Sequence, residues 1–422
     1  MMIEFDYMNV YGGNNMINEM QVLRDLEYTR TWGTKEELKA AKYIQKVLKT
    51  IKLDSKIESF KLNDGKKVKV SLEVTKPYKK KINCHYFKMC ANTKGLEKEI
   101  VFVKDVKQIN KYDVNNKIAL ITGGLGYWTY KDLLDGGCKG IVVGNGNLFY
   151  ENNDIDTRAL REPLQELGKI PVVACNIKDL YEMLQNGVTK VKITSIQELT
   201  KCDSHNVIAN IKGESQRRII FTAHYDSTAL SKGSWDNASG SVGIMKIAEH
   251  FMKNKPYHNL TFIWCGAEER GLCGSKAYVK KHLKELNDVD LCINLDMIGA
   301  TLGKFLACVT AEEKLVNYVE YMSFEFGKAC DCYQDVYASD STPFADVGIP
   351  GISFGQHNPD TPIHTRFDTM YLMNEKTLKE DEEFIIEFAS RMANAKVIPV
   401  SRVMPDNIKE KIDAYLLRKR AK

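Results

Sequence analysis

Apolar residues recur along this chain with two different periodicities, and each periodicity predicts a different kind of secondary-structure element. In residues 34–50 they recur at helical spacing, and Thr34 and Glu37 form a T-x-x-E capping box, which predicts an amphipathic helix. The segment SKIESFKL that follows is strand-like. From about residue 203 onward, short apolar runs alternate regularly with amphipathic stretches. This alternation predicts an α/β fold with a mixed, mostly parallel sheet flanked by helices.

The middle of the chain has a different pattern. Residues 63–200 alternate short β patterns (VKVSLEV, KIALIT, KGIVVGN, IPVVAC, KVKITS) with a few helical stretches such as YKDLLDGG. We therefore predict a discontinuous α/β domain made of residues 1–62 and 203–422. A β-rich α/β domain of residues 63–202 is inserted into it.

The composition narrows the class of protein. A chain of 422 residues with 44% hydrophobic and 27% charged residues fits a globular protein of two or three domains. No apolar stretch is long enough to cross a bilayer, and the start MMIEFDYMNVYGG lacks the features of a signal peptide. We expect a cytoplasmic protein without a transmembrane segment. Secretion stays open if the sequence begins after a removed signal.

Charge and cysteine content exclude some other partners and sites. The formal charge of +5 is small, and the basic runs KPYKKK (76–81) and RKRAK (418–422) carry no interleaved aromatic residues. We expect them to be a solvated loop and tail and predict no nucleic-acid partner. The eleven cysteines show no paired framework, which favours free thiols in a reducing compartment. Cys330 and Cys332 lack a second pair, so a structural zinc is disfavoured there.

Five side chains that suit a metal site follow the predicted strands of the second half. His224 comes after RIIF, Glu269 after LTFIWC, Asp296 after LCINL and His364 after GISFG, while Asp236 lies in a loop after a strand. Open α/β sheets bind ligands beyond the carboxyl ends of their strands. Taken alone, each residue has an ordinary explanation, such as a helix cap or a solvated charge. Together they offer the nitrogen and oxygen donors that suit zinc.

Two further carboxylates lie beside these candidates. Glu268 is adjacent to Glu269, and repulsion between the two acids raises the pKa of one, which can then accept a proton from water. Asp226 lies two residues after His224 in an extended segment, so it faces the same side and can support the imidazole. His357 competes with His364 in the same loop.

The order and context of these segments resemble a known family. HYDS, WDNASG, GAEERGLCGS, NLDMIG and IHTRFDT look like the motifs of the M28 family of co-catalytic zinc peptidases, and RTWGTKEELKAAKYI resembles the first helix of that family. The likeness covers about residues 20–62 and 203–395. Within the middle block, NKIALITGGLGYWTYKDLLDGGCKGIVVGN is similar to a protease-associated (PA) domain, a common insertion in this family.

The resemblance implies a role for each candidate ligand. By that likeness, His224 and Asp296 bind one zinc, Glu269 and His364 bind the other, and Asp236 bridges the two. The implied cofactor is two Zn²⁺ per chain, with Co²⁺ or Mn²⁺ as substitutes. His205, His258 and His282 match no motif of the family, and we predict no catalytic role for them.

The same resemblance implies further roles, and the chain departs from the pattern at two positions. Glu268 matches the general base and Asp226 the carboxylate that orients the histidine, and a cis peptide bond is implied after Asp236. Many members have a tyrosine directly before the last histidine, where this chain has Ile363. In SDSTPF, Ser341 replaces the more usual histidine. The donor for the oxyanion is therefore unassigned.

These features predict an aminopeptidase that hydrolyses the first bond of peptides with a free N-terminus. A carboxypeptidase of the same family is an alternative, although residues 330–365 hold no arginine cluster for a terminal carboxylate. A glutaminyl cyclase, which normally lacks the middle domain, and an inactive binding protein, which usually loses ligands, rank lower. TGGLGYW does not complete the G-x-G-x-x-G pattern of a dinucleotide site. The preferred N-terminal residue and the oligomeric state stay open, with a dimer among the options.

Overall fold

The computed structural model describes residues 16–420. The N-terminal segment used to predict the location and the last two residues of the basic run 418–422 lie outside this part. The chain forms two compact units, Met1–Phe60 with Asp203–Lys422 and Lys61–Cys202. We call the first the α/β unit and the second the inserted unit.

The regular elements follow the predicted patterns closely. The α-helices of the described part are α1 (Glu19–Asp25), α2 (Lys35–Thr50), α3 (Tyr127–Asp135), α4 (Glu162–Glu166), α5 (Ile177–Gln185), α6 (Gly240–Lys253), α7 (Cys273–His282), α8 (Glu313–Phe326), α9 (Thr342–Asp346), α10 (Glu375–Asn394) and α11 (Asp406–Tyr415). The strands are β1 (Ser55–Lys76), β2 (Lys80–Ile82), β3 (Cys84–Tyr86), β4 (Thr93–Phe102), β5 (Ile118–Thr122), β6 (Gly140–Asn145), β7 (Val172–Asn176), β8 (Lys190–Ile211), β9 (Arg218–His224), β10 (Asn259–Cys265), β11 (Val289–Asp296), β12 (Lys304–Thr310), β13 (Asp331–Gln334) and β14 (Gly351–His357). Short 3₁₀ turns occur at Val106–Lys111, Leu283–Asp288 and Met370–Leu372, and a π turn at Ser234–Ser239. Within residues 16–420, no helix combines the length and the apolar character of a membrane span.

The α/β unit is built on a mixed sheet with the strand order β13-β12-β14-β11-β9-β10-β8. The central strand β9 pairs in parallel with both β10 and β11, and β14 is parallel to β11. Strand β12 runs antiparallel to β14, and the last part of β8 runs antiparallel to β10. The predicted mixed, mostly parallel sheet is confirmed. Its parallel centre brings the carboxyl ends of four strands to one edge.

Helices cover both faces of this sheet because its central strands are apolar on both sides. On β9, Ile219 and Phe221 belong to the large core that includes side chains of α2, α6 and α10. Ile220, between them, points into a smaller core with Tyr278 of α7 and Phe344 of α9. Alternate residues of a strand face opposite sides, so one strand joins both cores. This packing of helices on both faces holds the carboxyl ends of the central strands in place, and the candidate ligands lie at those ends.

Helix α2 begins where the sequence predicts, with a tertiary contact added. The Thr34 side chain accepts a hydrogen bond from the Glu37 amide at 3.2 Å, as a capping residue does. The Glu37 carboxylate, however, accepts from the Gly33 amide at 2.8 Å and from the Ser204 hydroxyl. The start of α2 is thereby tied to a strand almost 170 residues away. A local capping box has become a buried long-range contact.

The inserted unit contains its own parallel strands, β4, β5, β6 and β7, in that order. Strand β3 pairs antiparallel with β7, and the first part of β8 pairs antiparallel with β4. Ala119 of β5 faces a core with Leu133 of α3, whereas Leu120 faces a core with Leu180 of α5. This unit is thus an α/β layer structure rich in strands. Its kinship with protease-associated domains stays a prediction.

Candidate metal centre

The residues singled out by their position after strands meet at one edge of the sheet of the α/β unit. They lie at the last residue of β9 (His224), the last residue of β11 (Asp296), the turn after β10 (Glu268 and Glu269), the turn before α6 (Asp236) and the loop after β14 (His364). Strands β10, β9 and β11 are parallel neighbours, so their carboxyl ends open onto the same crevice. Along the sequence, these residues are up to 140 positions apart.

The five predicted ligands form two groups that share one carboxylate. His224 Nε2 lies 3.2 Å from Asp236 Oδ1 and 3.5 Å from Asp296 Oδ1. His364 Nε2 lies 2.9 Å from Asp236 Oδ2 and 3.2 Å from Glu269 Oε2. Within each group, the atoms that could bind a metal are all within 4.8 Å of one another. Asp236 therefore presents one oxygen to each group, which is the geometry of a bridging ligand.

The electrostatics of these groups fit a pair of cations. Burial works against a charged His224, yet Glu268 and the neighbouring carboxylates raise its pKa well above the usual value. The pKa of His364 rises to about 11, although burial opposes it, because Asp236 and Glu269 surround it. Glu269 Oε1 is buried without a hydrogen-bond partner among the described residues. Buried carboxylates in excess of cationic partners are stabilised by metal ions, and this donor set suits zinc.

Glu268 has the properties of a proton acceptor beside these groups. Its Oε2 lies 3.9 Å from His224 Nε2. Burial, followed by the charges of Glu269, Asp340 and Asp296, raises the pKa of Glu268 well above its usual value despite the attraction of His224. Burial and the charge of Asp236 likewise raise the pKa of Glu269 to about 7. A carboxylate with a raised pKa is a better general base near neutral pH.

Asp226 supports the site in two ways, only one of which the sequence predicts. Its Oδ1 lies 3.6 Å from Nδ1 of His224, and its backbone oxygen lies 3.3 Å from the same nitrogen. Its carboxylate also accepts hydrogen bonds from the amides of Glu268 at 3.0 Å and of Glu269 at 3.3 Å. One fully buried side chain thus orients a histidine and holds the turn that carries both glutamates.

The turn that carries Asp236 is held by another buried carboxylate, Asp368. It accepts hydrogen bonds from the amides of Trp235 at 2.8 Å and of Asp236 at 3.1 Å, and from the Ser231 hydroxyl at 3.3 Å. Burial and the charge of Asp236 raise the pKa of Asp368 to about 6. The peptide bond between Asp236 and Asn237 is cis, as the resemblance implies.

Arg30 is a supporting residue that the sequence reasoning missed. Its guanidinium is fully buried and donates to the carbonyl of Tyr225 at 2.7 Å and to that of Gly233 at 3.0 Å. These carbonyls lie just after His224 and just before Asp236. Arg30 therefore closes the loop between two predicted ligands. The residue lies in the segment RTWGT, where no periodicity or spacing marks it.

The backbone near the ligands adopts the left-handed region at residues other than glycine. Ala267, which precedes Glu268, has φ of 54°, Met297, which follows Asp296, has φ of 63°, and His364 itself has φ of 61°. Such a conformation costs about 1–3 kcal/mol and persists where the surroundings over-determine it. Here, hydrogen bonds and buried carboxylates supply that constraint. Strain of this kind is typical of functional sites.

The other histidines and the cysteine pair lie apart from the two groups. His357 is exposed at the end of β14. His205, His258 and His282 lie against Glu37, Ser215 and Glu58. Within residues 16–420, the clusters of potential metal ligands are the two groups described above, and neither includes Cys330 or Cys332.

The structure shows what surrounds Ile363 and Ser341, the two residues that depart from the family pattern. Ile363 packs against the large core of the α/β unit. The Ser341 hydroxyl lies 3.0 Å from that of Ser339 and 3.1 Å from that of Ser353, in a buried cluster of three. Next to it, Asp340 accepts from a serine hydroxyl at 2.5 Å, and burial raises its pKa to about 6. Neither Ile363 nor Ser341 provides the side chain that the family pattern has there.

Comparison with curated proteins gives partial matches. Aminopeptidase YwaD of Bacillus subtilis (strain 168) is 27% identical over 296 residues, which are 65% of this chain and 62% of the relative. Leucine aminopeptidase 2 of Trichophyton rubrum is 38% identical over 125 residues, 29% of this chain and 25% of the relative. The matches thus span less than two thirds of the length of either relative.

Comparison with solved structures shows a shared fold. BSAP, a zinc aminopeptidase from Bacillus subtilis, superposes with a TM-score of 0.72 at 24% identity, over 90% of this chain and 97% of that one. An aminopeptidase from Aneurinibacillus sp. strain AM-1 gives a TM-score of 0.70 at 24% identity, over 91% and 95%. The model of peptidase family M28 matches residues 206–389, a range that holds all five predicted ligands and Glu268. This match covers less than half of the chain, and over that range the sequence is similar to peptidase family M28.

Proposed function

We propose that the protein is a zinc-dependent aminopeptidase that releases N-terminal residues from peptides. The observation that carries this proposal is the position of Asp236, which offers one oxygen to each of two ligand groups with Glu268 beside them. The relatives are called aminopeptidases, and one structural relative is called a zinc aminopeptidase, which supports the same conclusion.

The residues of the site divide the task of holding two zinc ions. In this proposal His224 and Asp296 would hold one ion, Glu269 and His364 would hold the other, and Asp236 would contribute to both groups. When bound, two zinc ions polarise the scissile carbonyl and lower the pKa of a water molecule. Cobalt or manganese could serve with the same ligands, since they accept similar donors.

Glu268 moves the proton that hydrolysis requires. It takes a proton from the attacking water, whose oxygen forms a bond to the carbonyl carbon, and returns it to the leaving nitrogen as the C–N bond breaks. Asp226 supports this step because it holds the Glu268 amide and orients His224. The raised pKa of Glu268 suits a group that must both accept and donate a proton.

The charge of the site offers no surplus to hold a terminal carboxylate. Asp236, Glu268, Glu269 and Asp296 surround two imidazoles, and their four negative charges balance the four positive charges of two zinc ions. Residues 330–365 contain neither arginine nor lysine that could hold such a carboxylate. This disfavours the carboxypeptidase alternative.

A paired substrate assay tests this proposal. Purified protein is incubated with a set of short peptides, each with a free or an acetylated N-terminus, with and without a chelator, and its zinc is counted by mass spectrometry. We expect cleavage of the first bond of free peptides only, loss of activity with chelator and two zinc ions per chain. Removal of C-terminal residues, cyclisation of N-terminal glutamine, or metal-free protein without hydrolysis would each contradict it.

Location and assembly are separate proposals that rest on the sequence alone. We propose a cytoplasmic protein, and subcellular fractionation of the producing cell tests this. Sedimentation at several concentrations determines whether the chain is a monomer or a dimer. Nucleic acid is not part of the proposal, because the basic runs lack the features of a binding surface.

A further inference from the structure

The inserted unit also brings the carboxyl ends of parallel strands to one edge of its sheet. Strands β5 and β6 are parallel neighbours, and Thr122 is the register partner of Gly144. Beyond them lie the run TGGLGY, which leads into α3, and Asn145, which ends β6. Ligands of open α/β sheets bind in the crevice beyond such ends. The candidate metal ligands all belong to the α/β unit, so the function proposed above assigns no role to this edge.

The first turn of α3 leaves main-chain amides available to an anion. Its N-cap is Gly126, which has no side chain to accept from them, and the first turn of this nine-residue helix contains no acidic residue. No acceptor among the described residues binds the amides of Gly124, Gly126 and Tyr127. The positive end of a helix attracts anions, and such amides bind carboxylate or phosphate oxygens.

Glycines keep the space in front of this turn open. A Cβ built on Gly123 or Gly124 would meet no atom within 4 Å, and one on Gly126 would meet only the Thr129 hydroxyl, at 4.0 Å. That hydroxyl can add a donor beside the amides. Gly123 has φ of 82°, which glycine adopts without strain. A small anion can therefore approach the backbone of this run closely.

Asn145 gives independent evidence for a bound molecule at this edge. Its side chain is only 7% exposed, and its Oδ1 is buried without a hydrogen-bond partner among residues 16–420. Native proteins rarely leave such an atom unpaired, because the hydrogen bond to water that it loses on burial is not replaced. A donor group of a ligand would satisfy this oxygen.

The side chain of Asn145 lies on the side of the sheet that α3 covers. Val143, two residues earlier, packs in the same core as Tyr130 of α3, and alternate residues of a strand share a face. A Cβ on Gly144, between them, would instead meet side chains of α5 on the other face. The Gly123 amide donates to the Gly144 carbonyl at 3.2 Å, so the glycine-rich run begins beside the end of β6. The unpaired oxygen is thus directed toward the crevice beside the first turn of α3.

These two observations together define the chemistry of the ligand. The free amides require an anion, whereas Asn145 Oδ1 requires a donor close to that anion. A carboxylate whose α-carbon carries an N–H group provides both, while a phosphate group provides only the anion. Residues 61–202 contain 24 lysine and arginine residues but only 16 aspartate and glutamate residues, so the net charge of this unit also attracts an anion.

We propose that the inserted unit binds an α-amino carboxylate, either a free amino acid or the C-terminal residue of a peptide, at the run 123–126 and Asn145. The carboxylate accepts hydrogen bonds from the amides at the start of α3, and the α-nitrogen donates to Asn145 Oδ1. The ligand binds without any covalent change. This site belongs to the inserted unit alone and goes beyond the proposed hydrolysis.

The first experiment locates binding by hydrogen exchange and mass spectrometry on the full-length, zinc-loaded protein. N-acetylalanine keeps the carboxylate and the N–H but lacks the free amino group of a substrate. We expect it to slow the exchange of amides in residues 123–130. N-acetylalaninamide, which lacks the carboxylate, should give no protection there. Propionate, which lacks the N–H, should bind about tenfold more weakly, the effect of one lost hydrogen bond.

Further probes separate the possible sources of the ligand. Alanine that protects residues 123–130 at lower concentration than N-acetylalanine would identify a free amino acid, because its ammonium group donates more strongly. The reverse order would identify the C-terminus of a peptide. Protection by inorganic phosphate without protection by N-acetylalanine or alanine would overturn the proposed class of ligand.

Two substitutions test the residues of the site. Gly126→Asp places a carboxylate at the N-cap, where it accepts from the same amides, so it should raise the melting temperature and weaken N-acetylalanine at least about tenfold. Asn145→Ala should weaken N-acetylalanine about tenfold but leave propionate unchanged, because only the contact with the N–H is lost. Asn176→Ala, at the end of β7, is the matched control and should bind N-acetylalanine as the wild type does.

Three results would contradict the proposed site. If neither N-acetylalanine nor alanine protects residues 123–130, the inserted unit has no such site. Full protection in Gly126→Asp, together with a raised melting temperature, would show that the ligand does not use the amides of α3. Equal weakening of N-acetylalanine and propionate by Asn145→Ala would limit Asn145 to packing and remove the requirement for an α-nitrogen.

Discussion

Two blocks of three parallel strands, one in each unit, are built alike and end differently. In the inserted unit, β5, β6 and β7 read IALIT, GIVVGN and VVACN, and nearly every residue is buried. In the α/β unit, β10, β9 and β11 read NLTFIWC, RIIFTAH and VDLCINLD, and are buried almost as completely. Both blocks follow the rule that parallel strands covered on two faces are continuously apolar.

The carboxyl ends of the two blocks carry different chemistry. Asn176, at the end of β7, is satisfied locally, because its side chain accepts from the Lys178 amide at 2.9 Å and donates to the Asp154 carbonyl at 2.9 Å. His224 and Asp296, at the ends of β9 and β11, face a surplus of buried carboxylates. The strand interiors thus determine the sheet, and the residues at the strand ends determine whether it carries a reaction.

The largest expected effect comes from removing the carboxylate shared by the two ligand groups. We expect Asp236→Ala to lose zinc and to show no measurable hydrolysis. Each of the two ligand groups loses the carboxylate that it shares with the other, while its remaining charged side chains stay in place. Mass spectrometry of bound zinc and a peptide assay check this. Asn176→Ala, at the end of β7, is the control and should keep both. If the Asp236→Ala protein still bound two zinc ions, the strand ends of the α/β unit would not differ from those of the inserted unit in the way described above.

The next effect separates chemistry from metal binding at the same strand ends. Glu268→Gln should keep the zinc of the wild type, while kcat falls about 10²–10⁴-fold because the amide cannot accept the proton. Steady-state kinetics and metal analysis on the same sample check this. Turnover near the wild-type rate would show that another group is the base.

A smaller effect is expected from the carboxylate behind the ligands. Asp226→Asn should weaken zinc affinity or rate about 10–100-fold, because an amide supports His224 and the amides of Glu268 and Glu269 less well. Competition with a chelator of known affinity measures this. Asp113→Asn, an exposed residue paired with Lys117 in the inserted unit, is the control and should behave as the wild type. Equal zinc affinity in Asp226→Asn and the wild type would limit Asp226 to packing.

The smallest effect on function is expected from the strand interiors. Ile293→Ala in β11 and Ile141→Ala in β6 each remove a fully buried side chain, and each should lower the free energy of unfolding by about 2–5 kcal/mol. Ile141→Ala should leave zinc affinity and kcat unchanged. Urea denaturation and the peptide assay check both variants. A loss of zinc in Ile141→Ala as large as in Asp226→Asn would show that the two blocks are not independent in function.

Much of the fold and the candidate site could be predicted because the signals are local. The run RIIF followed by His224, and LCINL followed by Asp296, place a donor at a strand end within a few residues. The capping pair Thr34 and Glu37 marks the start of α2 to the residue. Such patterns reflect side-chain period and backbone capping, which a single sequence displays directly.

The supporting residues could not be predicted because their partners are far away in the sequence. Asp368 holds amides more than 130 residues before it, and Glu37 turns its carboxylate to a serine 167 residues later. These contacts depend on which strands become neighbours, and no local pattern encodes that order.

The contacts of Arg30 have a consequence for how the protein is made. Besides nearby carbonyls, it donates to those of Tyr225 and Gly233, which lie 195 and 203 residues further along the chain, beyond the whole of the inserted unit. Since synthesis proceeds from the N-terminus, the guanidinium leaves the ribosome long before these two distant partners exist. Contacts of such long range form slowly because a large loop must close first. The contacts of Arg30 with the loop between His224 and Asp236 therefore form late, after synthesis of the inserted unit.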